Sequence, residues 1–241
     1  MIIIFIALAL LNVFVPFMKT IRKQVKKWNT SLKEIKLYRE SLFPFYIYSH
    51  PVDGYYGVKR EKKGSNLSAT IYLLAFFAMY IVWIYSTSFL FNSHIPSEIN
   101  FFEQVITVFV PFFLWVIANY LVCSIRDGEG KLSDVYQASA YTLLPMIITF
   151  PILTLLSHAL TLNEAFLYQT ILIVGVSVTV IYFIIMVKEI HFYDMKPTIG
   201  NILISIFTAL MILAVLIIVY FLLNEVYGLI SDIIQEVFSR G

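Results

Sequence analysis

The sequence predicts an all-α integral membrane protein with six transmembrane helices, an N-terminal anchor followed by a bundle of five. Three observations lead there. Of the 241 residues, 60% are hydrophobic and only 13% charged, whereas soluble domains are roughly half apolar and a quarter charged. The charges are clustered, leaving windows free of Asp, Glu, Lys and Arg at residues 1–18, 64–97, 104–125, 135–163, 165–187 and 197–224. Each can cross a bilayer, because a helix needs about 20 residues to span the hydrocarbon core. Finally, Lys and Arg fall on alternate connections: twelve of the 17 lie in residues 19–63, with Arg126, Lys131, Lys188 and Lys196 beyond, while the connections after Phe91 and Ser157 have none. The positive-inside bias makes the basic side cytoplasmic and puts both termini outside, with Arg240 the one external basic residue.

The first window reads as an uncleaved anchor. A signal peptide carries positive charge before its apolar region and small residues at a cleavage site. Here nothing basic precedes "IIIFIALALLNVFVPF", and Lys19, Arg22 and Lys23 follow it.

Residues 19–66 form a basic cytoplasmic linker that leads the chain into the membrane. Its first part sets Ile21, Val25, Trp28, Leu32 and Ile35 among Lys and Arg at roughly helical spacing. That pattern suits a helix on anionic lipid and a solvated connecting helix equally. The second part is "SHPVDGYYGVKREKKGS" at 49–65. His50-Pro51 should end any preceding helix, because the residue before proline is pushed out of the helical region. Asp53-Gly54 should then turn the chain. Tyr55 and Tyr56 suit the headgroup layer, and Lys59, Arg60, Lys62 and Lys63 suit lipid phosphates or a partner.

Residues 67–224 hold the five following spans. Pro111 in the third span and Pro145 and Pro151 in the fourth predict bends, since proline removes a backbone hydrogen bond. Asn119, Tyr136, Gln137, Ser139, Tyr141 and Thr142 are expected to join the third and fourth spans as a hairpin, side chains of this kind bonding between helices. The tail at 225–241 spaces Val226, Leu229, Ile230, Ile233, Ile234 and Val237 as one stripe, giving an amphipathic helix on the outer surface or an extension of the sixth span.

For catalysis the sequence offers little. Ionisable groups at membrane depth are functional by default, and the windows have none beyond His94 and His158, both near outer ends. No zinc helix, nucleophile elbow or phosphate loop is present, and the single cysteine, Cys123, excludes an intrachain disulfide. Two loops concentrate polar groups. "IRDGEGKLSDVYQ" offers Asp127, Glu129 and Asp134, without the alternation of a calcium loop. A tight connection on Gly128 and Gly130 is the stronger reading. "VKEIHFYDMKP" offers Glu189, His191 and Asp194. The expectation is a protein that is not an enzyme, with no cofactor, no metal and no nucleic-acid partner.

The stretch "HPVDGYYGVKREKKGS" before the second span and "DGEGKLSDVYQASAYTLLP" between the third and fourth resemble motifs of the bacterial branch of the Yip family, membrane proteins named for interaction with Ypt/Rab GTPases. The second motif is the more specific, through Gly128, Gly130, Tyr136, Ala140, Tyr141, Leu144 and Pro145. The resemblance covers residues 50–223 and implies a five-span Yip-type bundle with a cytoplasmic N-terminal region. Eukaryotic members act in vesicle traffic. The chain departs from them in its short N-terminal region and extra anchor, and its Ile-, Lys-, Phe- and Tyr-rich usage points to a low-GC bacterium. Some bacterial relatives are encoded near sugar ABC-transporter components.

The leading expectation is a non-catalytic scaffold or accessory subunit in a bacterial plasma membrane, meeting lipids and a membrane-protein partner or a second copy of itself. His50, Pro51, Asp53, Tyr55, Lys59, Lys62, Lys63, Asp127, Glu129, Tyr136, Tyr141 and Pro145 are the candidate contacts. The alternative is a transporter or lipid-handling protein. A polar-lined cavity reaching both faces would favour transport.

Overall fold

The computed structural model describes residues 36–92 and 99–239. The predicted anchor, the amphipathic stretch through Ile35 and His94 lie outside them. Among the described residues the fold is all helical, and five helical segments are long and apolar enough to cross a membrane: Asn66–Ser86, Phe101–Ile125, Leu132–Ala159, Leu162–His191 and Met195–Ser231.

Two short helices precede the spans. Helix α1, Lys36–Ser49, stops where the sequence requires, and His50 before Pro51 leaves the helical region at φ −137°. The chain does not then turn at Asp53-Gly54. It forms a second helix, α2, over Pro51–Lys59. Proline at the first turn loses no intrahelical bond, and Asp53 in that turn complements the helix dipole, so the residues that suggest a turn serve as a helix start. Gly54 permits close helix contact. A Cβ there would lie 2.7 Å from the Cα of Ile47, so α1 and α2 touch backbone to backbone.

Helix α3, Asn66–Ser86, is capped by Ser65, whose hydroxyl accepts from the Ser68 amide at 3.2 Å. Helix α4, Phe101–Ile125, begins at Asn100, whose side chain accepts from the Phe102 amide, and it runs through Pro111 unbroken. The next span is broken, α5 covering Leu132–Thr142 and α6 covering Leu144–Ala159. Pro145 has no amide to bond Tyr141 and crowds its carbonyl. The predicted bend is therefore a break at Leu143, whereas Pro151 sits inside α6. After a single 3₁₀ turn at Leu162–Glu164, α7 runs over Ala165–His191 and ends on Phe192 in the left-handed conformation. Helix α8, Met195–Ser239, continues straight through the tail, so the stripe extends the last span.

The broken span is central: 56% of its most apolar stretch is buried, against at most 28% in the other spans. It packs on α3 and α7, while α4 pairs mainly with α8. The core gathers at the end where the basic connections lie. There Ile47, Tyr55 and Val58 of the short helices meet Tyr72, Val135, Ala138, Tyr141, Met186 and Ile190.

Candidate functional site

Helix α2 is seated on the basic end of the bundle. Tyr55 is fully buried and its hydroxyl bonds Thr142 Oγ1 at 2.8 Å. Burial also raises the Tyr55 pKa, since a phenolate there would lose its water. One turn on, Lys59 donates to the Glu129 carbonyl and lies 3.8 Å from Asp134, its side chain only 9% exposed. Burial pulls the Lys59 pKa down, and the carboxylates of Asp134 and Glu129 oppose that shift. Arg60 pairs with Glu129 at 3.1 Å and lies over the Phe192 ring, 4.5 Å from its centre.

The two polar loops converge beneath α2. Gly130 abuts His191: a Cβ at 130 would sit 2.5 Å from the ring Cε1. His191 is buried and shares a 2.9 Å hydrogen bond with the Asn119 side-chain oxygen, and Asn119 donates to Ser205 of α8. Asn201 donates to the Cys123 sulfur, and the Tyr193 hydroxyl donates to the Arg126 carbonyl at 2.9 Å. Tyr193 is pushed up to about 12, first by burial and then by the neighbouring Cys123. Thr198, Asn201 and Ser205, all fully buried, form a small polar seam. The sequence reading passed over that seam, although its spacing of three and four residues is the signature of one helix face.

Of the polar residues expected to join the third and fourth spans, Ser139 has no hydrogen-bond partner in the protein and the others bond elsewhere. Asn119 ties α4 to α7 and α8. Gln137 donates to Asn66, Tyr141 bonds the backbone of Ser65 and Tyr136 pairs with Thr70, so α5 is fastened to the start of α3. The expectation failed because composition locates polar side chains along a helix without saying which neighbour they face.

Of the candidate contacts, Tyr55, Tyr141 and Pro145 lie inside the fold. Lys59 is held by Glu129 and Asp134, away from lipid phosphate. Pro51 and Tyr136 are half-buried, while His50, Asp53, Lys62, Lys63, Asp127 and Glu129 face outward. Lys63 pairs with Glu61, and Glu189 with Lys188. Among the described residues no group of three His, Cys, Asp or Glu side chains is placed to hold a metal. Asp127 takes the left-handed conformation at φ 57°, and no described glycine has positive φ, so Gly128 and Gly130 serve close approach rather than an unusual turn.

A stripe of α2 remains on the surface. Val52, Tyr56 and Arg60 follow one another at four-residue intervals, with Tyr56 45% exposed and edge-on to Phe192. Phe192 stands at φ 56°, a conformation costing roughly 1–2 kcal/mol for a side chain with a Cβ.

Deeper in the bundle a partly open cavity of about 530 Å³ is bordered by all five spans. Its walls are nearly all apolar, so it does not supply the polar path that transport of a hydrophilic solute needs. Among its lining residues, Trp115 and Ser139 each carry a polar atom, Nε1 and Oγ, that is buried away from solvent and has no hydrogen-bond partner in the protein.

Comparison with curated proteins and with solved structures gives no match. A family model, that of the Yip1 domain, matches residues 45–225. The matched stretch begins in α1 and takes in α2, both polar loops, four membrane-length segments and the fifth as far as Glu225, so the chain belongs to the Yip1 domain family.

Proposed function

We propose that the protein is a non-catalytic scaffold or accessory subunit of a bacterial plasma-membrane complex, docking a membrane-protein partner on its basic, cytoplasmic end. The observation that carries this reading is Phe192. A left-handed, aromatic helix terminus stands where glycine would be unstrained, and its ring completes an exposed surface with Tyr56 and Arg60. Exposed aromatic and arginine side chains on a rigid base are the usual anchors of protein interfaces. The base is rigid because Lys59, Asp134, Tyr55 and His191 are engaged in holding α2 and the loops together, which leaves them unsuited to acid–base chemistry.

The test is a photo-crosslinking side chain at Val52 in intact membranes, followed by mild purification. A discrete protein adduct at near-stoichiometric yield, such as a transporter subunit, and its loss in Phe192→Ala, is the expected result. Recovery of the protein alone, with lipid adducts only, would remove this reading and put lipid handling first. That second reading draws its support from the apolar cavity.

A further inference from the structure

We infer that the cleft between α1 and the turn leading from α2 to α3 binds a phosphodiester anion, that of a membrane-lipid headgroup, through Arg39 and Lys62. The cleft encloses about 520 Å³, within the roughly 300–1,000 Å³ of ligand pockets. Unlike the apolar cavity, its walls are charged. Helix α1 contributes Arg39, Phe43 and Tyr46, spaced by four and three residues and so on one helix face, with the buried Glu40 beside them. The opposite wall is Glu61, Lys62 and Lys63. In a regular helix or strand three consecutive side chains point to different sides. Here the chain turns with Lys62 left-handed, at φ 52°, and all three border the cleft. That conformation is unfavourable for a residue with a Cβ, whereas glycine takes it without strain.

Charge and depth narrow the occupant. Lys63 is taken up by Glu61, while Arg39 and Lys62 are exposed and form no ion pair among the described residues. Two cations on facing walls attract an anion, and a guanidinium and an ammonium both donate charge-assisted hydrogen bonds to phosphate oxygens. Lys63 lies three residues before Asn66, where α3 starts, so the cleft opens where that span meets the headgroup layer. Tyr46 is exposed there and stacks on Phe43 at 5.8 Å and on His50 at 5.0 Å. Such an aromatic wall suits the boundary between a wet phosphate and a glycerol backbone. Basic pockets at the ends of spanning helices are places where anionic headgroups bind. A soluble phosphodiester shares the charge and the hydrogen bonds, but it gains nothing from the depth. The assignment does not depend on a partner docking at Phe192.

The experiment titrates the full chain in detergent micelles with phosphatidylglycerol, phosphatidylcholine and the deacylated headgroup glycerophosphoglycerol, and native mass spectrometry counts the adducts. The expected result is a one-to-one adduct with phosphatidylglycerol, tighter than with phosphatidylcholine, whose choline cancels the phosphate charge. Lys62→Gln and Arg39→Gln should each weaken it about tenfold, the effect of losing one charge-assisted hydrogen bond. Lys196→Gln removes an equal charge from an exposed site at the same end but outside the cleft, and it should leave the adduct unchanged. Lys62→Gly separates binding from folding. Glycine fits the left-handed turn, so thermal stability in the same micelles should not fall while binding does. Equal weakening by Lys196→Gln would mean diffuse attraction only and would overturn the site. So would the absence of any adduct, equal binding of phosphatidylcholine, or undiminished binding in both cleft variants. Glycerophosphoglycerol binding as tightly as the lipid would keep the phosphodiester site and overturn the lipid as its source.

Discussion

Gly130 meets His191 so closely that one added methyl group should separate steric need from backbone need. In Gly130→Ala the new Cβ would fall 2.5 Å from His191 Cε1, 2.7 Å from Nδ1 and 2.9 Å from Ile190 Cγ2. None of these can swing aside cheaply, because Ile190 is fully buried and the imidazole is tied to Asn119. Over-packing of this kind costs about 1–3 kcal/mol, and since Gly130 has no positive φ the whole loss is steric. Gly200 is the control. A Cβ there meets nothing nearer than Arg126 at 3.7 Å, so Gly200→Ala should be neutral or stabilise by up to about 1 kcal/mol through helix propensity. Reversible denaturation in mixed micelles, followed by circular dichroism, reads both. His191→Ala makes room for the methyl, so the double variant should fall short of additivity by about 1 kcal/mol or more. Equal stability of Gly130→Ala and wild type, or strict additivity with His191→Ala, would refute the packing argument.

Three further outcomes are expected. Lys59→Met strands the Asp134 carboxylate, 6% exposed, and should cost about 3 kcal/mol, whereas Lys62→Gln and Lys63→Gln at the surface should leave stability nearly unchanged; equal losses at the three positions would undo the assignment of Lys59 as a structural pin. Tyr141→Phe removes the hydroxyl bonds to Ser65 and should cost about 1 kcal/mol, measured in the same micelles, with no loss meaning that α5 is not fastened there. Tyr193 gives a pH signature. Its folded pKa of about 12 lies above the ordinary 10, so the folded state keeps a proton that the unfolded state releases, and stability should fall as pH rises from about 10 towards 12. Tyr193→Phe should reduce that slope, and an unchanged slope would contradict the upward shift at Tyr193.

The spans were legible because charge-free length is a strong signal: every described window became a membrane-length segment. Local chemistry was harder to read. Pro51, Asp53 and Gly54 are residues of a turn and equally of a helix start, and only the contact of Gly54 with Ile47 decides between them. Lys59 read as a contact for lipid phosphate or a partner because Asp134, the carboxylate beside it, is distant in sequence. Pro145 was recognised as a disruption, yet a full break needed the crowded centre of the bundle around it. The cavity had no sequence signature, since its lining residues are those of any apolar helix.

Helix α8 carries a consequence of a different kind. Its charge-free stretch, residues 197–224, extends about 42 Å at 1.5 Å per residue, against a hydrocarbon core of about 30 Å. Among its described side chains the fully buried positions stop at Ser205, and residues 214–227 are all exposed. Hydrophobic mismatch of that size is relieved by leaning or by a thicker bilayer. Because α8 is one unbroken helix anchored by the polar seam at its near end, such a lean would be shared by the whole helix and passed to α4, on which it packs.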